Sequence, residues 1–83
     1  MKLHPIKPPV FIKEMSAGRM ALREVRDVAT ASRIHLAWPG RGKAWRQAAE
    51  VLSEALRGQT SADAARKAFV AAAKEAEVYV ERD

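Results

Sequence analysis

The run Gly40-Arg41-Gly42-Lys43-Ala44-Trp45-Arg46 is where residue types and spacing come nearest to a chemical site. Two glycines let backbone N–H groups converge, and a helix starting after Gly42 presents the positive end of its dipole. Arg41, Lys43 and Arg46 add cations at that end. Each opposes the dipole by roughly 0.3–1 kcal/mol. Several together suggest an anion that offsets them. The Gly-x4-Gly-Lys-Ser/Thr spacing of a nucleotide-binding loop is absent. An ordinary interhelical turn with glycines serving only its geometry fits the same residues, and it is the more common use of such a run.

A second candidate is the basic series Arg23, Arg26 and Arg33, which with Arg41, Lys43 and Arg46 is read as a phosphate-contacting surface for nucleic acid. Such binders usually add exposed aromatic side chains or a recognition helix. The chain has two Trp, Trp38 and Trp45. Trp45 lies on an apolar stripe, so the core is its expected place. Its full burial is worth about 4–6 kcal/mol by area, as an upper bound.

Catalytic and metal chemistry find little support. There are no Cys and two His, His4 and His35. Disulfides, thiolate zinc sites and thiol catalysis are therefore excluded, and no metal or cofactor is expected. His35 sits at the edge of an apolar face without a ligand-spaced partner, so a boundary histidine with a backbone hydrogen bond is expected. Ser16, Ser32, Ser53 and Ser61 lack a His–Asp arrangement, and Glu50 and Glu54 lie on the polar side of a helix. A non-enzyme is expected.

These residues must be placed by a small fold. The 83 residues suit one domain, divided as an extended arm over 1–9 and a domain over 10–83. Pro5, Pro8 and Pro9 make Lys2 to Pro9 extended. Val10 to Met15 reads as a strand, Ser16-Ala17-Gly18-Arg19 as its turn, and Met20 to Leu22 as the return strand. Helical periodicity from Val25 to Leu36 puts Val25, Val28, Ala29, Ser32, His35 and Leu36 on one face. Arg23, Arg26, Arg33 and Ile34 fall opposite, and Glu24 is a poor cap for this helix. Ile34 there implies cover by the arm or a subunit contact.

Trp38-Pro39-Gly40-Arg41-Gly42 ends the first helix. The second, Lys43 to Arg57, carries an unbroken stripe of Trp45, Ala48, Ala49, Leu52, Ala55 and Leu56. Gly58 suits its left-handed cap. Thr60 and Asp63 have capping-box spacing for the third helix, Asp63 and Lys67 form an i,i+4 pair, and Phe69 is a knob among alanines. Val78 to Val80 alternates again, as a short third strand. The expected core is Val28, Leu36, Trp45, Leu52, Leu56 and Phe69.

Trp38-Pro39-Gly40-Arg41-Gly42, Trp45, Ala48, Ala55-Leu56-Arg57-Gly58 and the segment Ala65-Arg66-Lys67-Ala68-Phe69-Val70 through Ala76 resemble a short bacterial family, domain of unknown function 982. The likeness runs from about Pro9 to Val80. It implies a small α+β fold and carries no assigned activity or catalytic residues. Family members usually have Gly where this chain has Glu77, so the third helix is expected to run on toward Val78. A Cys common in relatives is absent around Val51-Leu52-Ser53.

The fold expected is therefore α+β: an N-terminal β-hairpin and a short C-terminal strand packed against three helices. Net charge is +5, split as +7 for residues 1–46 and −2 for residues 47–83. This asymmetry suits an anionic partner or head-to-tail self-complementarity. A small core favours self-association as added stability. The functional expectation is a protein-interaction or self-associating module, with a homo-oligomer or another protein as partner. The alternative is a nucleic-acid or anion binder. Nothing resembles a signal peptide or membrane span, so a cytoplasmic location away from membranes is expected.

Overall fold

The computed structural model describes residues 4–81. Met1 to Leu3 of the expected arm, and Arg82 and Asp83, lie outside the described residues. The elements are β1 (Pro5–Ser16), β2 (Arg19–Asp27), α1 (Val28–Ala37), α2 (Lys43–Leu56), α3 (Ala62–Glu75) and β3 (Tyr79–Val80). The fold is α+β as expected, with an antiparallel sheet in the order β2-β1-β3.

The hairpin is longer than the periodicity suggested. Pro5 to Pro9 form the first part of β1, Pro5 pairs with Asp27, and Ile6 is buried. The register shifts between Pro5 and Val10, the stretch holding Pro8 and Pro9. At the tip Ala17 (φ 52°) and Gly18 (φ 77°) both take positive φ, as a two-residue type I′ turn requires. Val10, Ile12 and Val25 are buried against the helices. By strand alternation Phe11, Lys13, Met15, Met20, Leu22, Glu24 and Arg26 lie on the outer face.

The boundary between β2 and α1 corrects the expected helix start at Val25. Val25 belongs to the strand, and Asp27 is the cap, its Oδ1 accepting from the Thr30 N–H at 2.7 Å. Removing Val25 rotates the true stripe to Val28, Ala31, Ile34 and His35, all buried. Ile34 is thus a core residue, not a polar-face outlier. Leu36, expected in the core, points the other way and is 60% exposed. Leu56 is a second correction. It ends α2 where the chain turns through Gly58, and it is 41% exposed. Val28, Leu52 and Phe69 are buried as expected, while Trp45 is half-buried.

The interior joins Ile6, Val10, Ile12 and Val25 of the sheet to Val28, Ala31 and Ile34 of α1, Leu52 of α2 and Phe69 of α3. Ala48, Ala55, Ala65, Ala72 and Ala73 are also buried, so α2 and α3 pack closely with Phe69 filling the gap. Ser61, not Thr60, caps α3, its Oγ accepting from the Ala64 N–H at 3.0 Å.

Helices α2 and α3 close with the same pair of bonds. Gly58 N–H donates to Ala55 O and Gln59 N–H to Glu54 O. Glu77 N–H donates to Lys74 O and Val78 N–H to Ala73 O. Both follow the Schellman pattern, with Gly58 at φ 75° and Glu77 at φ 62°. Instead of running on toward Val78, α3 stops sharply, because Glu77 takes the left-handed conformation that Gly takes elsewhere.

Candidate functional site

Residues 38–42 and the first turn of α2 form a cluster built on reciprocal bonds. Pro39 fits the end of α1, and Trp38 is its extended cap residue. Trp45 Nε1–H donates to His35 O at 3.0 Å, and His35 Nε2–H donates to Trp45 O at 2.9 Å. A carbonyl only accepts, so Nε2 carries the proton. The two rings stack at 4.3 Å, and the Trp38 ring meets His35 edge-on at 6.0 Å and stacks on Phe69 at 5.3 Å. Burial lowers the His35 pKa below its ordinary 6.5, the bond to Trp45 O opposes this, and the Arg41 charge reinforces it.

The anion expected beside Gly42 is supplied from within the chain. Gly42 offers no capping side chain to α2. Glu75, on the last turn of α3, accepts from Ala44 N–H (3.0 Å) and Trp45 N–H (3.1 Å) with its two carboxylate oxygens. A Cβ on Gly42 would stand 2.5 Å from Glu75 Oε2. The glycine therefore makes room for the carboxylate. Arg41 lies 4.0 Å over the Trp45 ring and donates from Nη1 to Trp38 O. A cleft of about 210 Å³ remains between Trp38, Gly40, Gly42, Trp45, Ala72 and Glu75. Glu75 on its wall, and His35 packed behind both Trp rings, are already held by backbone partners, so the arrangement clamps α1, α2 and α3 together.

The six basic candidates do not form one surface. Arg23 and Arg26 are three residues apart on a strand, so they take opposite faces of the sheet. The expected helical stripe fails here because β2 runs to Asp27. Arg23 pairs with Glu14 (3.1 Å) and Arg26 with Glu24 (3.0 Å). Arg33 is exposed on α1, and Lys43, Arg46 and Arg41 are exposed around the start of α2.

A different surface stands out. Phe11 and Ile12 pair with β3 and Lys13 N–H donates to Val78 O at 2.8 Å; beyond Lys13 the hairpin is a two-stranded ribbon. On its outer face Met15 pairs with Met20, and Lys13 with Leu22. Met15 is 61% exposed, Met20 62% and Leu22 50%. The alternation from Phe11 to Met15 was the signal for this face, but ending the second strand at Leu22 hid its extent. A second cavity, about 230 Å³, lies where Arg66 Nε donates to Pro8 O at 2.7 Å, beside Phe11 and Tyr79.

Among the described residues no group of three or more His, Asp or Glu is placed to hold a metal. Among the described residues no helix is long and apolar enough to cross a membrane. The model of a family designated DUF982, protein of unknown function, matches residues 9–80. The chain belongs to the DUF982 family. No curated protein and no solved structure matches it. The Trp38-Pro39 turn and the α3 segment that carry the likeness are, in this DUF982 protein, the two halves of the Glu75–Trp45 clamp.

Proposed function

We propose that this DUF982 protein is a non-enzymatic interaction module that self-associates through the uncovered end of its hairpin. The observation that carries this reading is the exposure of Met15, Met20 and Leu22 together on a ribbon with no helix over it. Contiguous exposed apolar residues mark contact surfaces, and a lone two-stranded ribbon is weakly stable in water. Fully burying such a side chain is worth about 1.5–3 kcal/mol. With roughly half of each already covered, six such residues in a symmetric pair supply at most about 6 kcal/mol, and partial cover supplies less. Association costs about 4–15 kcal/mol in lost freedom. Side-chain burial alone therefore only reaches the low end of what is needed, and backbone pairing must add to it.

The non-enzymatic reading rests on Glu75, the charged group lining the Trp-walled cleft, and on His35, which packs against both Trp rings. Both are engaged in holding helices. Light scattering over a concentration series tests self-association, and a mass rising to twice that of one chain is expected. A single-chain mass at every concentration would overturn it. Titration with DNA and RNA at low and moderate salt runs alongside. Salt-dependent binding by a chain that stays single would support the nucleic-acid alternative instead.

A further inference from the structure

We infer that the self-association proposed above, on which this inference rests, joins β2 to β2 of a second copy along their free edges, making one continuous antiparallel sheet. The two edges of the sheet are unequal. On one side, Pro8 and Pro9 sit in β1 and β3 covers only two residues. Proline and a short strand are common ways of blunting an edge. On the other side β2 has nine residues and no proline. Alternate residues of β2 point their backbone groups away from β1. Ser16 and Arg19 flank the two-residue turn as a hydrogen-bonded pair, so Met20, Leu22, Glu24 and Arg26 face the free edge. Helices cover only one face of the sheet, and they leave this edge open.

Charge decides between edge pairing and face stacking. The outer face interleaves Met15, Met20 and Leu22 with Lys13, Glu24 and Arg26, the last two bonded at 3.0 Å. Stacking two such faces would bury those charges, which is costly. Edge pairing leaves them in water and covers Met20 and Leu22 from the side. The two ends of β2 also carry opposite charges, Arg19 and Asp27, which an antiparallel second copy brings together. With a two-fold axis at Arg23, all nine residues find partners. Arg19 lies opposite Asp27 of the second copy and Met20 opposite Arg26. Ala21 lies opposite Val25 and Leu22 opposite Glu24. Each Arg23 keeps Glu14 beside it at 3.1 Å, which offsets the like charge at the axis. The outward residues exchange about eight backbone hydrogen bonds in this register, the contribution that side-chain burial lacks. The partner is thus a second copy of this chain.

Amide hydrogen exchange of the full chain, read residue by residue at dilute and concentrated conditions, tests the arrangement. Exchange at Met20, Leu22, Glu24 and Arg26 is expected to slow by about ten-fold or more as the mass doubles, while Lys13 and Phe69 stay as they are. If the mass doubles and those four amides exchange as freely as in the single chain, the edge is wrong although self-association stands. If the mass never doubles, both fall. Glu24→Pro supplies an independent arm, because an outward-facing edge position tolerates proline. It is expected to keep the helical circular dichroism and lose the dimer. A Glu24→Pro chain that dimerises like the parent would overturn the edge assignment.

Discussion

Because Gly42 has no side chain, the first turn of α2 takes its cap from Glu75, thirty-one residues beyond Ala44 in the chain. Replacing Glu75 with Ala leaves two N–H groups to water, and a cap of this kind is worth about 0.5–2 kcal/mol. Denaturant titration is expected to show a loss of that size. Gly42→Ala displaces the same carboxylate and costs a similar amount, so the double variant is expected to be little worse than either single one. Additive losses would show that Gly42 serves something else. At His35 the linkage has a definite sign. Its pKa is lowered in the folded state, so below the ordinary 6.5 the unfolded chain binds the extra proton. This contribution is fully present above that pH and is lost progressively as pH falls toward the folded value. The slope of stability against pH below 6.5 is expected to flatten in His35→Gln; an unchanged slope would place the titration elsewhere.

Helices α2 and α3 were legible because nothing competes with their periodicity, and both end on the caps their sequences imply or replace. Gly58 is such a cap by type. Glu77 is one against type, since a side chain at φ 62° pays a strain that Gly avoids. Glu77→Gly is expected to raise stability by about 1 kcal/mol and Tm by about 4–8 °C, read by thermal unfolding. No rise would mean that the Glu77 side chain makes a compensating interaction. The strand–helix junction was not legible. Val25 and Val28 satisfy a helix as well as a strand running into one, and only the Asp27 bond to Thr30 sets the boundary. That one error misplaced Ile34 and Leu36 and merged Arg23 with Arg26. The Pro-rich start misled for a similar reason, because proline fixes extended geometry without saying whether the strand is paired.

The packed molecule measures 37 × 24 × 24 Å, and its small interior closes on Leu52 and Phe69. The α+β architecture was readable from the order of its elements. Part of the Trp38–Trp45 cluster was readable too, since the turn and the helix start lie close in sequence. Glu75 was not, because a contact across so many residues leaves no local pattern. The hairpin face escaped for the opposite reason: its apolar residues are few, and only the structure shows that no helix covers them. Everything proposed for the molecule rests on self-association through the uncovered end of the hairpin, along the free edge of β2. The most direct test compares the masses of the parent chain and of Met20→Lys/Leu22→Glu, which sets like charges opposite Arg26 and Glu24 of the second copy, by light scattering at matched high concentration. The parent is expected at twice the single-chain mass. The variant is expected at the single-chain mass with helical circular dichroism unchanged. Equal masses for the two would contradict it.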